Sequence, residues 1–371
     1  MNKVKLSDVM VRANTRVDKE HTDLIYYVGG EHFVSGEFKV EQRGHIAGST
    51  IGPMFYYGFK AGQFLLVSRN PHLKKAGVVD FDGICSEKTF VLQTADPSVL
   101  LPEYLPLVLQ NEDFWEYAVA HKHGSTNFFI NWETLANYEF YLPSIATQQK
   151  IAKTAWAAYR VKKAYETLLE SVDNLVKSQF IEMFGSPVLL DRGWDIKTVE
   201  EIATTQLGKM LNAKNQTGQN SHYYLANRNV QWFRIEPTDL RMMDFDEAER
   251  VKFALEDGDL LVCEGGEIGR CAIWHGEVAD CYIQNAVHRV RCDKEQITPL
   301  FLGYQLFYHA TENGFSDIVG SKATIAHLPA DKLKTMRVMV PPLAEQHTFE
   351  DLVEQSDKSK SCFQRNSIGR T

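Results

Sequence analysis

The sequence lacks a long uncharged apolar run. No stretch approaches the roughly 18 consecutive apolar residues that identify a membrane-spanning helix. The amino terminus, with Lys3, Lys5 and Asp8, becomes charged again too soon for the apolar core of a signal peptide. We therefore expect no membrane partner, and a cytoplasmic location follows as the default.

Cysteines are few for a chain of this length. There are 6 in 371 residues, and no two of them form a Cys-x-x-Cys pair. Without that spacing a structural zinc site is not indicated, and without an export signal a disulfide framework is not expected. We predict reduced thiols that pack as small apolar side chains at Cys85, Cys263, Cys271, Cys281, Cys292 and Cys362.

The motifs of several enzyme classes are absent. The sequence contains no Asn/Asp-Pro-Pro-Tyr/Phe string, no Gly-x-Gly-x-x-Gly cofactor loop and no Gly-x-x-x-x-Gly-Lys-Ser/Thr phosphate loop. The nearest glycine-rich stretch, 265–269, contains Glu267 where a phosphate would bring negative charge, which indicates a tight turn. His121 and His123 flank Lys122 in a pattern more typical of a basic surface loop than of a metal site. We expect no catalytic residue, no metal and no cofactor.

Acidic residues are missing from two stretches, although the chain as a whole is acidic. The formal net charge is −8, which argues against a polyanion as partner. Residues 44–79 and 202–235 nevertheless contain no Asp or Glu, and their basic residues alternate with aromatic ones. Such stretches predict local phosphate-facing surfaces, because Lys and Arg neutralise phosphates and aromatic rings stack. The alternative is a pair of surface loops that lack acids by chance.

One long helix is the clearest element present. Residues 144–184 contain neither Gly nor Pro and are bounded by Pro143 and Gly185. This predicts a helix about 60 Å long at roughly 1.5 Å per residue. Its apolar residues recur at alternating spacings of four and three, which is the pattern of a coiled-coil seam. The predicted helix-pairing residues are Val161, Tyr165, Leu168, Val172 and Leu175.

The segments on either side of this helix resemble each other. The segment 62–67 corresponds to 258–262, and 102–124 corresponds to 298–320. The first residues of the two segments are the same number of positions apart in both pairs. The proline-to-glutamine segments 143–148 and 341–346 correspond as well. A repeat of this kind predicts two copies of one scaffold. Because the acid-free stretches fall at different places in the two copies, we expect two different recognition surfaces.

In these features the chain resembles the specificity subunits of type I restriction-modification systems. The resemblance covers nearly the whole chain and rests on the repeat, the two Pro-x-x-x-x-Gln helix openings, DFDGICS at 80–86 and GEIGR at 266–270. It implies an α+β fold with two similar target-recognition domains separated by long antiparallel coiled-coil helices. The implied domains are 1–143 and 186–342, with a central spacer helix at 144–185 and a C-terminal spacer helix at 343–371.

The resemblance also implies a function and partners. Family members are non-catalytic, and each target-recognition domain reads one half of a bipartite site in double-stranded DNA. The helices help to recruit methyltransferase subunits, two of them, which carry adenine-N6 methylation and through which the restriction subunits join. A stiff helix between two readers would act as a ruler for the gap between half-sites. A coiled-coil scaffold that binds protein and not DNA is the alternative.

Basic and small polar side chains are the candidates for DNA contact. In the first domain we predict phosphate contacts from Arg69, Lys74 and Lys75. The turn after the amphipathic helix predicted within 102–124 offers Lys122, Ser125, Thr126 and Asn127, and its alternative is a helix end without DNA contact. The counterparts in the second domain are Lys209, Lys214, Arg228, Arg234 and Lys322.

The C-terminal helix departs from the family pattern. Residues 343–371 are fewer than family members usually have there, and seam positions are sparse beyond Phe349, Leu352 and Val353. Either the chain is truncated, or this helix pairs with only part of the central one.

Overall fold

The computed structural model describes residues 2–212, 216–312, 314–316 and 327–368, with side chains described from Lys3 to Lys360. The chain divides into two compact units, unit 1 at Met1–Glu166 and unit 2 at Thr167–Thr371. Within the described ranges, no helix is both long and apolar enough to cross a bilayer.

Unit 1 combines short strands with helices that follow them. Its elements are β1 (Asn2–Lys5), α1 (Leu6–Val9), β2 (Met10–Ala13), β3 (Tyr26–Val28), β4 (Gly44–His45), β5 (Phe55–Phe59), β6 (Phe64–Val67), β7 (Ala76–Val78), β8 (Gly83–Ser86), β9 (Thr89–Thr94), α2 (Leu105–Leu109), α3 (Glu112–Ala120), α4 (Trp132–Ala136), β10 (Glu139–Leu142) and the first part of α5 (Ile145–Phe184). The sheets are β1-β10, β2-β9-β6-β7 and β4-β3-β8-β5.

Unit 2 repeats this order after the end of α5. Its elements are β11 (Asp195–Thr198), α6 (Val199–Ile202), β12 (Ala203–Leu207), β13 (Ser221–Leu225), β14 (Val230–Gln231), β15 (Arg234–Ile235), β16 (Arg241–Asp244), α7 (Glu247–Lys252), β17 (Leu260–Cys263), β18 (Cys271–Ile273), β19 (Cys281–Ile283), β20 (Val287–Cys292), α8 (Pro299–Thr311), α9 (Ala330–Lys334), β21 (Arg337–Val340) and α10 (Leu343–Ile368). The sheets are β11-β21, β12-β20-β17-β18, β16-β13-β19 and the hairpin β14-β15.

The strand orders confirm the internal repeat. The antiparallel sheet β2-β9-β6-β7 corresponds to β12-β20-β17-β18, and the parallel pair β3-β8 corresponds to β13-β19. Gly62 and Gly258 precede β6 and β17 with φ of 87° and 91°, a left-handed conformation that glycine adopts without strain. The units differ in their additions, since unit 1 has β5 and unit 2 has the β14-β15 hairpin. One scaffold therefore carries two different surfaces.

The central strands are buried on both faces. In β6, Phe64 and Leu66 join the core under α2 and α3, while Leu65 and Val67 join a second core against the β3-β8 sheet. Successive side chains of a strand point to opposite faces, so a continuous apolar run suits a strand between two layers. The predicted buried thiols are confirmed for the five cysteines with described side chains, which are free and buried in the cores of their own units.

A buried glutamine anchors the start of each long helix. Gln148 is 0% exposed; its Oε1 accepts from the Leu101 amide at 3.0 Å, and its Nε2 donates to the carbonyls of Val99 and Pro143, both at 2.9 Å. Gln346 repeats all three bonds, with the Thr298 amide at 2.9 Å and the carbonyls of Gln296 and Pro341 at 2.9 and 2.8 Å.

This repeated amide explains the Pro-x-x-x-x-Gln openings, because each glutamine satisfies three main-chain groups that would otherwise be buried without partners. The bonds also refine the alignment of the repeats. They pair Leu101 with Thr298, one position away from the sequence-based pairing of Pro102 with Thr298.

The long helix is confirmed at Ile145–Phe184, and α10 packs antiparallel to its last part. Phe349, near the start of α10, lies 5.3 Å from Phe180 and 5.9 Å from Phe184 between ring centroids, and Lys360 pairs with Asp173.

The predicted seam does not describe this contact. Val176 is buried, whereas its neighbour Leu175 is 57% exposed. Leu168 and Val161 are also exposed, and Val172 and Tyr165 are half-buried. The packing face is formed by Phe180 and Phe184, which lie one helical turn apart. The predicted seam, which follows alternating spacings of four and three residues, does not include them.

We expect Gln148→Leu and Gln346→Leu each to lower the free energy of unfolding by roughly 2–4 kcal/mol, because buried main-chain groups would lose their partners. The exposed neighbours serve as controls, and Gln149→Leu and Gln355→Leu are expected to change stability little. Urea denaturation of the full chain measures this. Equal stability of the buried and exposed variants would contradict the anchoring role.

Candidate nucleic-acid interface

Two arginines of unit 1 lie against the tyrosines of β5. The Arg12 guanidinium lies 5.5 Å from the ring centroid of Tyr57, and its Nη2 donates to the Tyr57 hydroxyl at 3.5 Å. The Arg16 guanidinium lies 5.0 Å from the Tyr56 centroid. The segment that carries Arg16 pairs with β5, since the Val17 amide donates to the Tyr56 carbonyl at 2.8 Å. The strand pairing thus holds cation and ring together.

The turn after α3 brings several predicted residues together. His123 and Phe129 exchange main-chain hydrogen bonds of 2.7 and 3.0 Å, which closes the exposed loop that carries Ser125, Thr126 and Asn127. Gly124 turns the chain there with φ of 91°. Lys122 lies 4.3 Å from the Phe128 ring. A closed loop with small polar tips is therefore presented to solvent.

Arg69 contacts the loop that His123 and Phe129 close. It pairs with Phe129 across a β-bridge, its guanidinium lies 5.7 Å from the Phe129 centroid, and its Nη1 donates to the Asn127 carbonyl at 3.4 Å. The preceding Ser68 binds the carbonyl of Lys88 in the β8–β9 turn. Glu87, which precedes Lys88 in that turn, accepts a hydrogen bond from the Tyr56 hydroxyl at 3.0 Å.

We define the arginine surface as Arg12, Arg16, Arg69 and Lys122 together with the aromatic residues they contact. Over the described part of the chain, none of these four cations forms an ion pair with a carboxylate. Their charge is consequently free for an external anion. Of the adjoining rings, Tyr56, Tyr57 and Phe129 are at least partly exposed, whereas Phe90, 4.8 Å from the Arg12 guanidinium, is buried.

Lys74 and Lys75 have other partners. The Lys74 Nζ lies 2.6 Å from the Glu112 carboxylate at the start of α3, and the Lys75 Nζ donates to the Gly30 carbonyl at 2.7 Å. The prediction of phosphate contact did not foresee these internal bonds. A lysine already paired with a carboxylate gains less from a phosphate, because the existing pair must first separate.

Lys209 is the clearest correction in unit 2. It is 9% exposed, and its Nζ lies 2.5 Å from the Glu249 carboxylate and 2.7 Å from the Asp244 carbonyl. The sequence places this lysine in an acid-free stretch, but the chain folds a distant carboxylate onto it. It contributes to the fold of unit 2 and not to a free cationic surface.

The two predicted arginines of unit 2 are also paired. Arg228 Nη1 lies 3.2 Å from the Asp239 carboxylate, and Arg234 forms an ion pair with Glu236. Arg234 also lines a cavity of about 1010 Å³ between α8 and α10, and several carboxylates share the lining, namely Asp173, Glu277, Glu350, Asp351, Glu354 and Asp357. Its surroundings are therefore anionic. Lys214 and Lys322 lie outside the described residues.

The loop before β13 is organised by a carboxylate that the sequence did not indicate. Asp244 accepts hydrogen bonds from the amide and hydroxyl of Thr217 at 2.7 and 2.6 Å, from the Asn220 amide at 3.2 Å and from the Ser221 hydroxyl at 2.9 Å. These donors, the Thr217 hydroxyl first, lower the pKa of Asp244 to about 2. The ionised carboxylate fixes the loop at neutral pH.

A family model described as the type I restriction modification DNA specificity domain matches residues 191–365. A curated protein of Haemophilus influenzae, provisionally named as a type I restriction enzyme specificity subunit, is 31% identical over 98 residues. That match covers 26% of this chain and 24% of the relative.

Residues 191–365 are therefore similar to a type I restriction-modification DNA specificity domain, and the match to the curated relative spans about a quarter of that protein.

Solved structures show the same fold. A chain from a study of complex assembly and conformational transition of the type I R-M system matches with a TM-score of 0.55 at 18% identity, covering 99% of this chain and 92% of that one. A type I restriction-modification S subunit from M. genitalium matches with a TM-score of 0.56 at 14% identity, covering 98% and 91%. Both matches extend over the two units of this chain.

Sequence reasoning missed Arg12 and Arg16 because both precede the acid-free stretch at 44–79. A signal was present, since Tyr56 and Tyr57 lie among the aromatic residues of that acid-free stretch. What sequence could not supply was the pairing of residues 15–17 with β5, which is separated from them by almost 40 residues.

We expect Asp244→Asn to accelerate hydrogen exchange in residues 216–221 at neutral pH, because the amide oxygen is a weaker acceptor than a carboxylate. Asp239→Asn, at an exposed carboxylate of the same unit, is the control. In the wild type the folded pKa lies below the ordinary value of 3.8, so the ordering is complete above about pH 4 and declines as pH falls towards 2. Unchanged exchange in Asp244→Asn would contradict this role.

Proposed function

We propose that this chain is the non-catalytic DNA sequence-specificity subunit of a type I restriction-modification complex. In this proposal unit 1 and unit 2 each read one half of a bipartite site in double-stranded DNA. The observation that carries it is the arginine surface. In a chain of net charge −8, cations that lie on aromatic rings and have no ion-pair partner favour the approach of an external anion.

The arrangement of the arginine surface suits a duplex. Guanidinium groups and Lys122 would neutralise phosphates, while the exposed tips of Ser125, Thr126 and Asn127 have the size and hydrogen-bonding groups to reach base edges. The repeat supports a second reader of the same scaffold with a different surface. In unit 2 the ordered loop at 216–220 is the corresponding candidate, because its residues are exposed and its backbone is held by Asp244.

Recruitment of methyltransferase subunits, two per chain, and of restriction subunits through them, belongs to the same proposal. The exposed apolar side chains of α5 support it, since Val161, Leu168 and Leu175 are 63%, 41% and 57% exposed. Apolar residues in such a row on a helix are the usual contact of a partner helix. The residues predicted for helix pairing would then serve partner subunits.

Genome-wide detection of N6-methyladenine, with and without the gene, tests the proposal. We expect deletion to abolish methylation at one two-part motif with a fixed internal gap, and the wild-type gene to restore it. Loss of methylation at a single continuous motif would contradict bipartite reading. No change in a strain that expresses the methyltransferase subunits would contradict DNA specificity and favour a protein-binding scaffold.

DNA affinity of the full chain should depend on salt through the arginine surface. We expect Arg12→Ala, Arg16→Ala and Arg69→Ala each to reduce the slope of log K against log salt by about 1, because each removes a phosphate contact and its released counterion. Lys74→Ala is the matched control, since its charge is paired with Glu112. A slope that none of the arginine variants changes would contradict the assignment of this surface.

A further inference from the structure

The carboxylate of Glu87 accepts a hydrogen bond from Tyr56, one of the aromatic residues of the arginine surface. Glu87 lies in the β8–β9 turn with its side chain 21% exposed, and its two oxygens contact Lys88 Nζ and the Tyr56 hydroxyl. Its own amide donates to the Met54 carbonyl at 2.9 Å. The hydrogen bond from Lys88, followed by that from Tyr56, lowers the pKa of Glu87, so the group is ionised at neutral pH.

An ionised carboxylate is unfavourable beside a phosphate. Like charges repel, and the cost grows when a bound duplex excludes water from the contact. A glutamate in a phosphate-facing surface is therefore more favourable where it faces a part of the duplex that is not anionic. In the major groove the exocyclic amino groups of cytosine and adenine are such partners, because they donate hydrogen bonds.

We propose that Glu87 is a base-reading residue of unit 1, which accepts a hydrogen bond from the exocyclic amino group of a cytosine or an adenine in the major groove. The inference rests on the proposed function, and it adds the residue and the chemical group that it recognises.

The surroundings of Glu87 fit this role. Lys88 and Tyr56 occupy one direction on each oxygen, and a carboxylate has about four acceptor positions in all. Both neighbours also fix the carboxylate, which costs less entropy on binding than a free side chain would. Arg69 is close enough to influence the Glu87 carboxylate electrostatically. A phosphate on Arg69 and a base on Glu87 would therefore be read from one short stretch of the duplex.

A purely structural role is the competing explanation, since Glu87 holds Tyr56. Glu87→Gln separates the two roles. The amide oxygen still accepts a hydrogen bond from the tyrosine, but the new NH₂ group donates where the carboxylate only accepted. Base preference should then move at one position, from an amino donor towards the acceptors of guanine or thymine, by roughly 5- to 100-fold.

The experiment selects bound duplexes from a randomised library with the full chain, for the wild type, Glu87→Gln, Glu112→Gln and Tyr56→Phe. Glu112→Gln is the matched control, because it alters an exposed carboxylate of the same unit outside the surface. We expect Glu87→Gln alone to change the preference at one base pair of one half-site, with all other positions kept. Tyr56→Phe is expected to lower affinity without changing any preference.

Two results would overturn the inference. One is an unaltered motif in Glu87→Gln while Arg12→Ala still weakens binding, which leaves the proposed function intact. The other is the same preference change in Tyr56→Phe, which would mean that Glu87 acts through the tyrosine. Failure of the wild type to select any motif would instead overturn the proposed function and the inference with it. Thermal denaturation of each variant verifies that the chain is folded.

Discussion

Each half of this chain depends on a glutamine side chain buried at the start of a long helix. Gln148 and Gln346 bind the same three main-chain groups, one amide and two carbonyls, and so tie each helix to the loop before the domain helix. A buried amide with all its bonds made fixes a direction, because any displacement would leave several polar groups without partners. Within each unit, the helix therefore leaves its own domain from a fixed point.

On this common scaffold the residues predicted for DNA contact in unit 2 differ from the arginine surface of unit 1 in their partners. Over the described residues, Arg12, Arg16 and Arg69 rest on aromatic rings without a carboxylate partner, whereas Lys209, Arg228 and Arg234 of unit 2 are paired with acids. The difference comes from what is added to the scaffold. β5 brings Tyr56 and Tyr57 to the arginines of unit 1, while the segments around β15 and α7 bring carboxylates to the cations of unit 2.

The sequence was sufficient for the repeat, the long helix and the buried thiols, and the family resemblance was sufficient for the fold class. The first three depend on local signals, namely glycines at turns, the absence of breakers from 144 to 184 and apolar strand runs. It was insufficient for the charged residues. Whether a lysine is free depends on a carboxylate far away in the chain, as Glu112 is from Lys74 and Glu249 from Lys209. The helix contact within unit 2 was missed for a related reason, since spacing alone did not separate the buried Val176 from the exposed Leu175.

The central claim is that two similar units read one duplex. Phosphate-ethylation interference with the full chain, on a duplex that carries its methylated motif, tests it most directly. The account predicts two separate clusters of phosphates at which ethylation weakens binding. In Arg69→Ala, ethylation should lose its effect at phosphates of one cluster only. A single continuous cluster, or a loss of interference in both clusters at once, would contradict it.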